Sequence, residues 1–231
     1  MKKVLVQLDS DRLPSLFDRI VAYDADIDVV LSYGGVALED VRDLVHGAIF
    51  TRGGENLKNT AIFIGGSDVP TGEKMLKATQ GTFFGPVRVS VMLDSNGCNT
   101  TSAALVTKIL SLTGTMGPAL PGTGPVPVHP GLGLLGKRAL VLAGTGPVGM
   151  RVAGLLAQEG AQVGITSRKM ERARSVGERL KEELGAEVTP LRDRHRGGAA
   201  PGPGGSAYPG GHRCRWSSTG ETGALDRQSY H

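Results

Sequence analysis

Gly144, Gly146 and Gly149 fall in the run Gly144-Thr145-Gly146-Pro147-Val148-Gly149, a GxGxxG. The apolar run Ala139–Ala143 leads straight into it. A stretch with apolar residues at Val148, Val152, Leu155 and Leu156 comes next. A glycine turn between a strand and a helix can hold phosphate oxygens on backbone N–H groups, the alternative being a glycine-rich connection in some other α/β domain. Gly144 permits the tight turn. Gly146 lacks a Cβ, so a pyrophosphate can reach the backbone, and Gly149 lets the helix pack close to the sheet. The motif alone is weak in a chain with 35 glycines. Its place between strand and helix strengthens it.

The next strand, Val163–Thr166, ends in Ser167-Arg168-Lys169. A site for NAD usually carries an acidic residue there for the ribose 2′-hydroxyl. A hydroxyl and two cations suit a 2′-phosphate instead. The expected cofactor is therefore NADP, with NAD possible.

These residues need a sheet to place them. Upstream, the pattern predicts strands at Lys3–Leu8, Asp28–Ser32, Thr60–Ile64 and Val87–Leu93. They alternate with helices at Leu13–Tyr23, Leu38–Val45, Val69–Thr79 and Thr100–Leu112. This order predicts an α/β fold: an N-terminal parallel α/β domain followed by an incomplete Rossmann dinucleotide-binding domain. The expected divisions are residues 1–115, a Pro/Gly-rich linker at 116–135, a partial Rossmann unit at 136–191 and a tail at 192–231.

Polar residues and glycines gather after each early strand, at the sheet edge where α/β proteins bind ligands. Asp9-Ser10-Asp11 follows the first strand and Gly65-Gly66-Ser67-Asp68 the third. Local turn and cap chemistry explains Asp9 and Ser67 equally well. Asp94–Thr101, DSNGCNTT, is more polar than a cap requires. Asn99 or Thr100 can cap the adjoining helix, which leaves the other side chains for a ligand. Arg52 adds a cation in a glycine turn, suited to a carboxylate or phosphate, or simply solvated. Cys98 has no histidine near it in sequence and is not expected to be a nucleophile.

Composition excludes several classes. No apolar run approaches the roughly 20 residues that span a bilayer, and the N-terminus reads as a first strand rather than a signal peptide. Two cysteines give no disulfide framework, so the cytoplasm is the expected compartment. Residues 192–231 hold six arginines against three acidic residues, and so carry most of the chain's net charge of +4. The folded part shows no basic footprint for nucleic acid. The tail is rich in Gly, Pro and Arg, with no strand or helix period, and reads as disordered and out of frame. His195, His212 and Cys214 match no metal-ligand spacing, and no metal is expected.

Four segments now resemble a known family: Gln7–Asp18, Ile49–Gly54, Phe83–Thr101 and Val141–Arg151. In this order they resemble the NADP-dependent methylenetetrahydromethanopterin dehydrogenases, over most of residues 1–190. DSNGxNTT joined to AGTGPVGMR is specific, and Ser167-Arg168-Lys169 matches the family's basic turn. The resemblance implies a pterin in an interdomain cleft, NADP on the second domain, a homo-oligomer when the full-length second domain is present, and oxidation of a methylene-tetrahydropterin to the methenyl form. Tetrahydrofolate is an alternative carrier. On this reading Asp9, Asp11, Arg52, Asp94, Asn96, Gly97, Asn99, Thr100 and Thr101 serve the substrate. Gly144, Thr145, Gly146, Pro147, Val148, Gly149, Ser167, Arg168 and Lys169 serve the cofactor. Direct hydride transfer needs no acid–base residue. The rival readings are an inactive nucleotide-binding fragment and an NADP dehydrogenase of another small substrate.

Overall fold

The computed structural model describes residues 1–113 and 133–193 in full. Between them it describes the backbone of two short strands. The rest of the expected linker and tail, including His195, His212 and Cys214, lies outside the described residues.

The first sheet is parallel, in the order β2-β1-β3-β4. Its strands are β1 (Val4–Leu8), β2 (Val29–Tyr33), β3 (Thr60–Ile64) and β4 (Ser90–Leu93). Leu8 stands opposite Tyr33 and Ile64, and Ile64 opposite Leu93, so all four strands end on one edge. Helices α1 (Leu16–Asp24), α2 (Val41–Phe50) and α3 (Val69–Thr82) connect them. A core forms where Val6, Leu8, Ile62 and Ile64 meet Val41, Val45 and Ile49 of α2 and Met75 of α3. β1 and β3 are central, which is why their alternate residues are apolar and their neighbours are also buried.

After β4 comes α4 (Cys98–Leu112). Strands β5 (Met116–Ala119) and β6 (Pro125–Pro127) then pair antiparallel within the Pro/Gly stretch, where the sequence predicts only a linker. The second sheet is β7-β8-β9, also parallel: β7 (Arg138–Val141), β8 (Gln162–Ser167) and β9 (Val188–Arg192). Its connecting helices are α5 (Pro147–Gln158) and α6 (Met170–Leu184). α6 stops at Gly185, whose φ of +64° lets its N–H and that of Ala186 bond back to Lys181 and Leu180. Val163 and Ile165 pack under Val152, Leu156 and Leu180, and α4 contributes Val106 and Leu110 to this same core. α4 thus leaves the first sheet and packs along α5.

The α/β class and parallel sheets agree with the sequence reading. The element ends differ for local reasons. α1 begins at Leu16 rather than Leu13 because Ser15 is its N-cap, accepting from the Asp18 N–H at 3.2 Å. α2 starts at Val41 because Asp40 first closes a turn on the Ala37 N–H at 2.9 Å. A 3₁₀ turn at Gly54–Asn59 has no periodicity to announce it.

Candidate functional site

The order of the first sheet reverses between β1 and β3, and ligands of such sheets bind at the crevice this reversal opens. The loops on either side are locked together. Asp9 is 1% exposed; its Oδ1 accepts from the Asp11 N–H at 2.8 Å and its Oδ2 from the Ser15 N–H at 3.2 Å. The expectation that Asp9 meets a substrate is corrected: its carboxylate is used inside its own loop. Asp11 accepts from the Ser67 N–H at 3.0 Å and Oγ at 2.9 Å, which ties the β1 loop to the β3 loop. Gly66 makes that approach possible. Its φ is +93°, and a Cβ there would lie 2.1 Å from Ser10 Oγ.

Asp94 closes β4 and caps the start of α4. Its Oδ1 accepts from the Asn99 and Thr100 N–H groups at 2.9 and 3.1 Å, and its Oδ2 from Thr100 Oγ1 at 2.5 Å. The expected roles of Asn99 and Thr100 are therefore reversed: they donate, and Asp94 is the cap. Asn99 Nδ2 also donates to the Leu93 carbonyl at 2.5 Å. Between them, Asn96 (φ 55°) and Gly97 (φ 60°) are both left-handed. Asn96 is held there by its N–H bond to the Gly66 carbonyl at 2.8 Å, while its side chain is exposed and has no partner among the described residues. Thr101 is likewise exposed. A non-glycine residue in this conformation costs energy and is often kept for function.

Arg52 is not in this group. Its Nη1 donates to the Lys2 carbonyl at 2.7 Å and to the Asn59 carbonyl at 3.0 Å. Those residues precede β1 and β3, so Arg52 braces the opposite edge of the sheet and cannot meet a ligand at the crevice.

The glycine turn of the second sheet separates into two kinds of position. A Cβ on Gly144 would stand 3.0 Å from the Ile165 side chain, and one on Gly149 would stand 2.9 Å from Gly144 Cα. Both glycines are required by packing. A Cβ on Gly146 would meet nothing nearer than the Ala143 carbonyl at 3.9 Å. Its open side fits an approaching pyrophosphate, at the N-terminus of α5 where Pro147 takes the first turn. Thr145 is partly exposed beside it, and Val148 turns partly into the second core. Thr166 holds the turn: its Oγ1 accepts from the Ala143 N–H at 3.1 Å and its carbonyl from the Gly144 N–H at 3.1 Å. Ala143 itself is left-handed, at φ 52°.

Ser167 at the end of β8 is buried, and its Oγ accepts from the Lys169 N–H at 3.3 Å. This hydroxyl shapes the turn. Arg168 and Lys169 are exposed and have no partner among the described residues, so their charges are available to a 2′-phosphate.

One arginine connects the two halves of the site. Arg151 on α5 donates through Nε to Asn99 Oδ1, through Nη1 to the Pro147 carbonyl at 3.0 Å and through Nη2 to Glu73 Oε1 on α3 at 2.8 Å. The other Glu73 oxygen takes Arg179 of α6 at 2.8 Å. Ser102 adds a bond from α4 to the Val148 carbonyl at 3.1 Å. Arg151 was legible only as the last residue of AGTGPVGMR, and Thr166 only as a strand end. Neither announces its partners.

Burial pushes the Asp18 carboxyl above the ordinary aspartate range despite its bond with Ser15, and Asp94 and Asp9 add to the rise. Burial also pushes the Cys98 thiol up. Cys98 is fully buried, so it is a packing residue between α4 and its surroundings. A groove of about 850 Å³ lined by Gln162, Arg174, Lys181 and Thr189 opens beside α6 at the edge where β8 and β9 start, and takes no part in these turns. No described helix is long and apolar enough to cross a membrane.

Comparison with known proteins finds the following similarities. Residues 16–96 match the family described as methylene-tetrahydromethanopterin dehydrogenase, N-terminal. The bifunctional protein MdtA of Methylorubrum extorquens is 45% identical over 188 residues, 81% of this chain. The NAD(P)-dependent methylenetetrahydromethanopterin dehydrogenase of the same organism is 28% identical over the same share. The match spans 59% of the length of each relative. A solved L-tryptophan dehydrogenase from Nostoc punctiforme aligns over 83% of this chain and 52% of its own, at 14% identity and a TM-score of 0.27, too low to carry an argument. Residues 16–96 are thus similar to the N-terminal part of the methylene-tetrahydromethanopterin dehydrogenases, and the chain is similar to one relative that bears that name.

Proposed function

We propose that the protein binds NADP against the Gly144–Gly149 turn and oxidises a methylene-tetrahydropterin held at the crevice beside Asn96. The observation that carries the reading is the difference among the three glycines. Packing accounts for Gly144 and Gly149, whereas Gly146 has open space beside it at the N-terminus of α5, which supports a ligand there. The choice of NADP over NAD rests on Arg168 and Lys169, two unpaired cations where an NAD site would place a carboxylate. The substrate class rests on the description of the matched N-terminal family, on the name of one relative and on the polar end of β4.

When bound, NADP supplies a ring that accepts hydride. The chain's own residues bind and orient. The α5 N-terminus meets the pyrophosphate with unpaired N–H groups. Asn96 and Thr101 offer exposed amide and hydroxyl groups to the substrate. Asp94, Asn99 and Thr100 set the turn that presents them. Asp11 and Ser67 line the crevice. Removing hydride from a carbon between two nitrogens leaves a cation that both lone pairs stabilise, so no proton leaves in that step and no base is needed. Orientation can supply much of the rate. The reading places the protein in the cytoplasm.

The test is reduction of NADP by the purified full chain, given methylene-tetrahydromethanopterin, methylene-tetrahydrofolate or a panel of alcohols and hydroxy acids. Pterin-dependent NADPH formation is expected. Turnover of an alcohol with none of the pterins would replace this reading.

A further inference from the structure

The two faces of the first sheet differ. Val6, Leu8, Ile62 and Ile64 point toward α2 and α3. Gln7, Phe63 and Met92, in register with one another, alternate with them and point the other way. α1 lies on this second face: Gln7 Nε2 is 3.5 Å from the Ser15 carbonyl, and Asp9 Oδ2 takes the Ser15 N–H. It leaves part of the face open. Met92 is 48% exposed, while Val91 and Leu93 pack into the core behind it. At the strand ends the ladder continues, with the Gly65 N–H on the Leu8 carbonyl at 2.9 Å and the Asp94 N–H on the Ile64 carbonyl at 3.0 Å. Gly65 is thus a bare position between Asp9 and Asp94, above the Phe63 ring. A Cβ there would stand 3.0 Å from Asp9 Oδ2 and 3.3 Å from that ring.

Asp18, on the first turn of α1, is close enough to Asp9 and Asp94 for both charges to act on it, which sets it over this gap. Of the three carboxylates it alone has acceptor oxygens to spare. Asp9 serves two backbone N–H groups, and Asp94 serves two with the Thr100 hydroxyl. Asp18 has only the Ser15 hydroxyl among the described residues. A half-buried carboxylate short of donors costs stability, and a binding site is where such a cost is kept.

We propose that Asp18 reads the amino-pyrimidinone edge of the substrate's pterin ring, which lies over Gly65 against Phe63 and Met92. That edge carries two donors side by side, the N3–H and the 2-amino group, and the two oxygens of one carboxylate match them. The faces of the ring suit an aromatic and a thioether side chain. The bare Gly65 leaves room for the ring between two carboxylates that are already satisfied. Tetrahydromethanopterin and tetrahydrofolate share this edge, so Asp18 selects the ring system and not the tail. The inference rests on the pterin reading given above and adds which end of the substrate enters the first sheet.

Steady-state kinetics of the full chain test it, with the methylene-tetrahydropterin that the wild type oxidises and its 2-methyl analogue, in which a methyl replaces the 2-amino group. Asp18→Asn keeps the size of the side chain but offers one acceptor oxygen to two donors. Its KM for the parent substrate should rise about 10-fold or more, with kcat within about 3-fold. NADP affinity and melting temperature should not fall, so the loss is one of substrate binding. The wild type should lose about 10-fold in kcat/KM on passing to the analogue, and Asp18→Asn about 2-fold or less. An unchanged KM in Asp18→Asn overturns the proposal. So does a wild type that takes the analogue as readily as the parent, or a variant that still rejects it as strongly as the wild type. Any of these with pterin turnover intact overturns this inference alone. A wild type that turns over no pterin overturns the proposed function, and this inference with it.

Discussion

Arg151 and Glu73, on helices that flank different sheets, meet at 2.8 Å. The Arg151 side chain is only 14% exposed there. Its other nitrogens hold Asn99, in the loop after β4, and Pro147, the first residue of α5. One guanidinium therefore sets the polar turn and the glycine turn in a fixed relation. Arg151→Lys keeps the charge but loses the fork. It is expected to cost about 1–3 kcal/mol, read as a lower denaturant midpoint. Both ligands' affinities should fall together. Glu73→Gln should cost less, because Arg179 and Arg151 can still donate to the remaining oxygen.

Gly144→Ala and Gly149→Ala should each destabilise by about 1–3 kcal/mol, since each new methyl meets backbone or a buried β-branched side chain that cannot easily yield. Thermal melting without ligand checks this. Loss of nucleotide binding with an unchanged melt would mean that these glycines face the ligand rather than the core.

The first sheet was largely legible because its strands are short apolar runs bounded by turn residues. Thr60–Ile64, set between Asn59 and Gly65, was read to the residue. The site was less legible because its bonds are not local. Arg151 reaches partners 52 and 78 residues away. Asp94 caps from across a 3₁₀ turn at Ser95–Gly97, whereas the sequence points to nearer residues for the task. Arg52 sits in a glycine turn that looks like a binding loop, yet its bonds run to the carbonyls of Lys2 and Asn59 at the other edge. Nothing in the spacing distinguishes these outcomes.

Arg168→Ala with Lys169→Ala should weaken NADP at least 10-fold and leave NAD within about 2-fold, because only the 2′-phosphate loses charge-assisted bonds. Competition binding of the two nucleotides checks this. Equal losses for both would assign the cations to the pyrophosphate.

Asn96→Gly should be neutral to about 1 kcal/mol stabilising, since glycine takes the left-handed conformation without strain. The same change removes the exposed amide, and kcat/KM for the pterin should fall at least 10-fold. A stable variant with full activity would remove Asn96 from the substrate.

Asp18 gives a pH signature. Its folded pKa is raised, so the folded protein holds that proton more tightly than the unfolded chain. The associated penalty is absent below the ordinary aspartate value and grows as pH rises through the raised one. Asp18→Asn should therefore raise the melting temperature at neutral pH and have little effect in acid. A benefit that persists in acid would contradict burial of the charge as its cause.

The most direct measurement is a calorimetric titration of NADP into the wild type and Gly146→Ala, with melting curves of both. The open space beside Gly146 predicts that the variant melts within about 1 °C of the wild type, since a ΔΔG near zero moves Tm little. Its NADP affinity should be at least 10-fold weaker, because the new methyl occupies the place of the pyrophosphate. Equal affinity in the two proteins would show that no phosphate reaches Gly146. The account of this site would then be wrong.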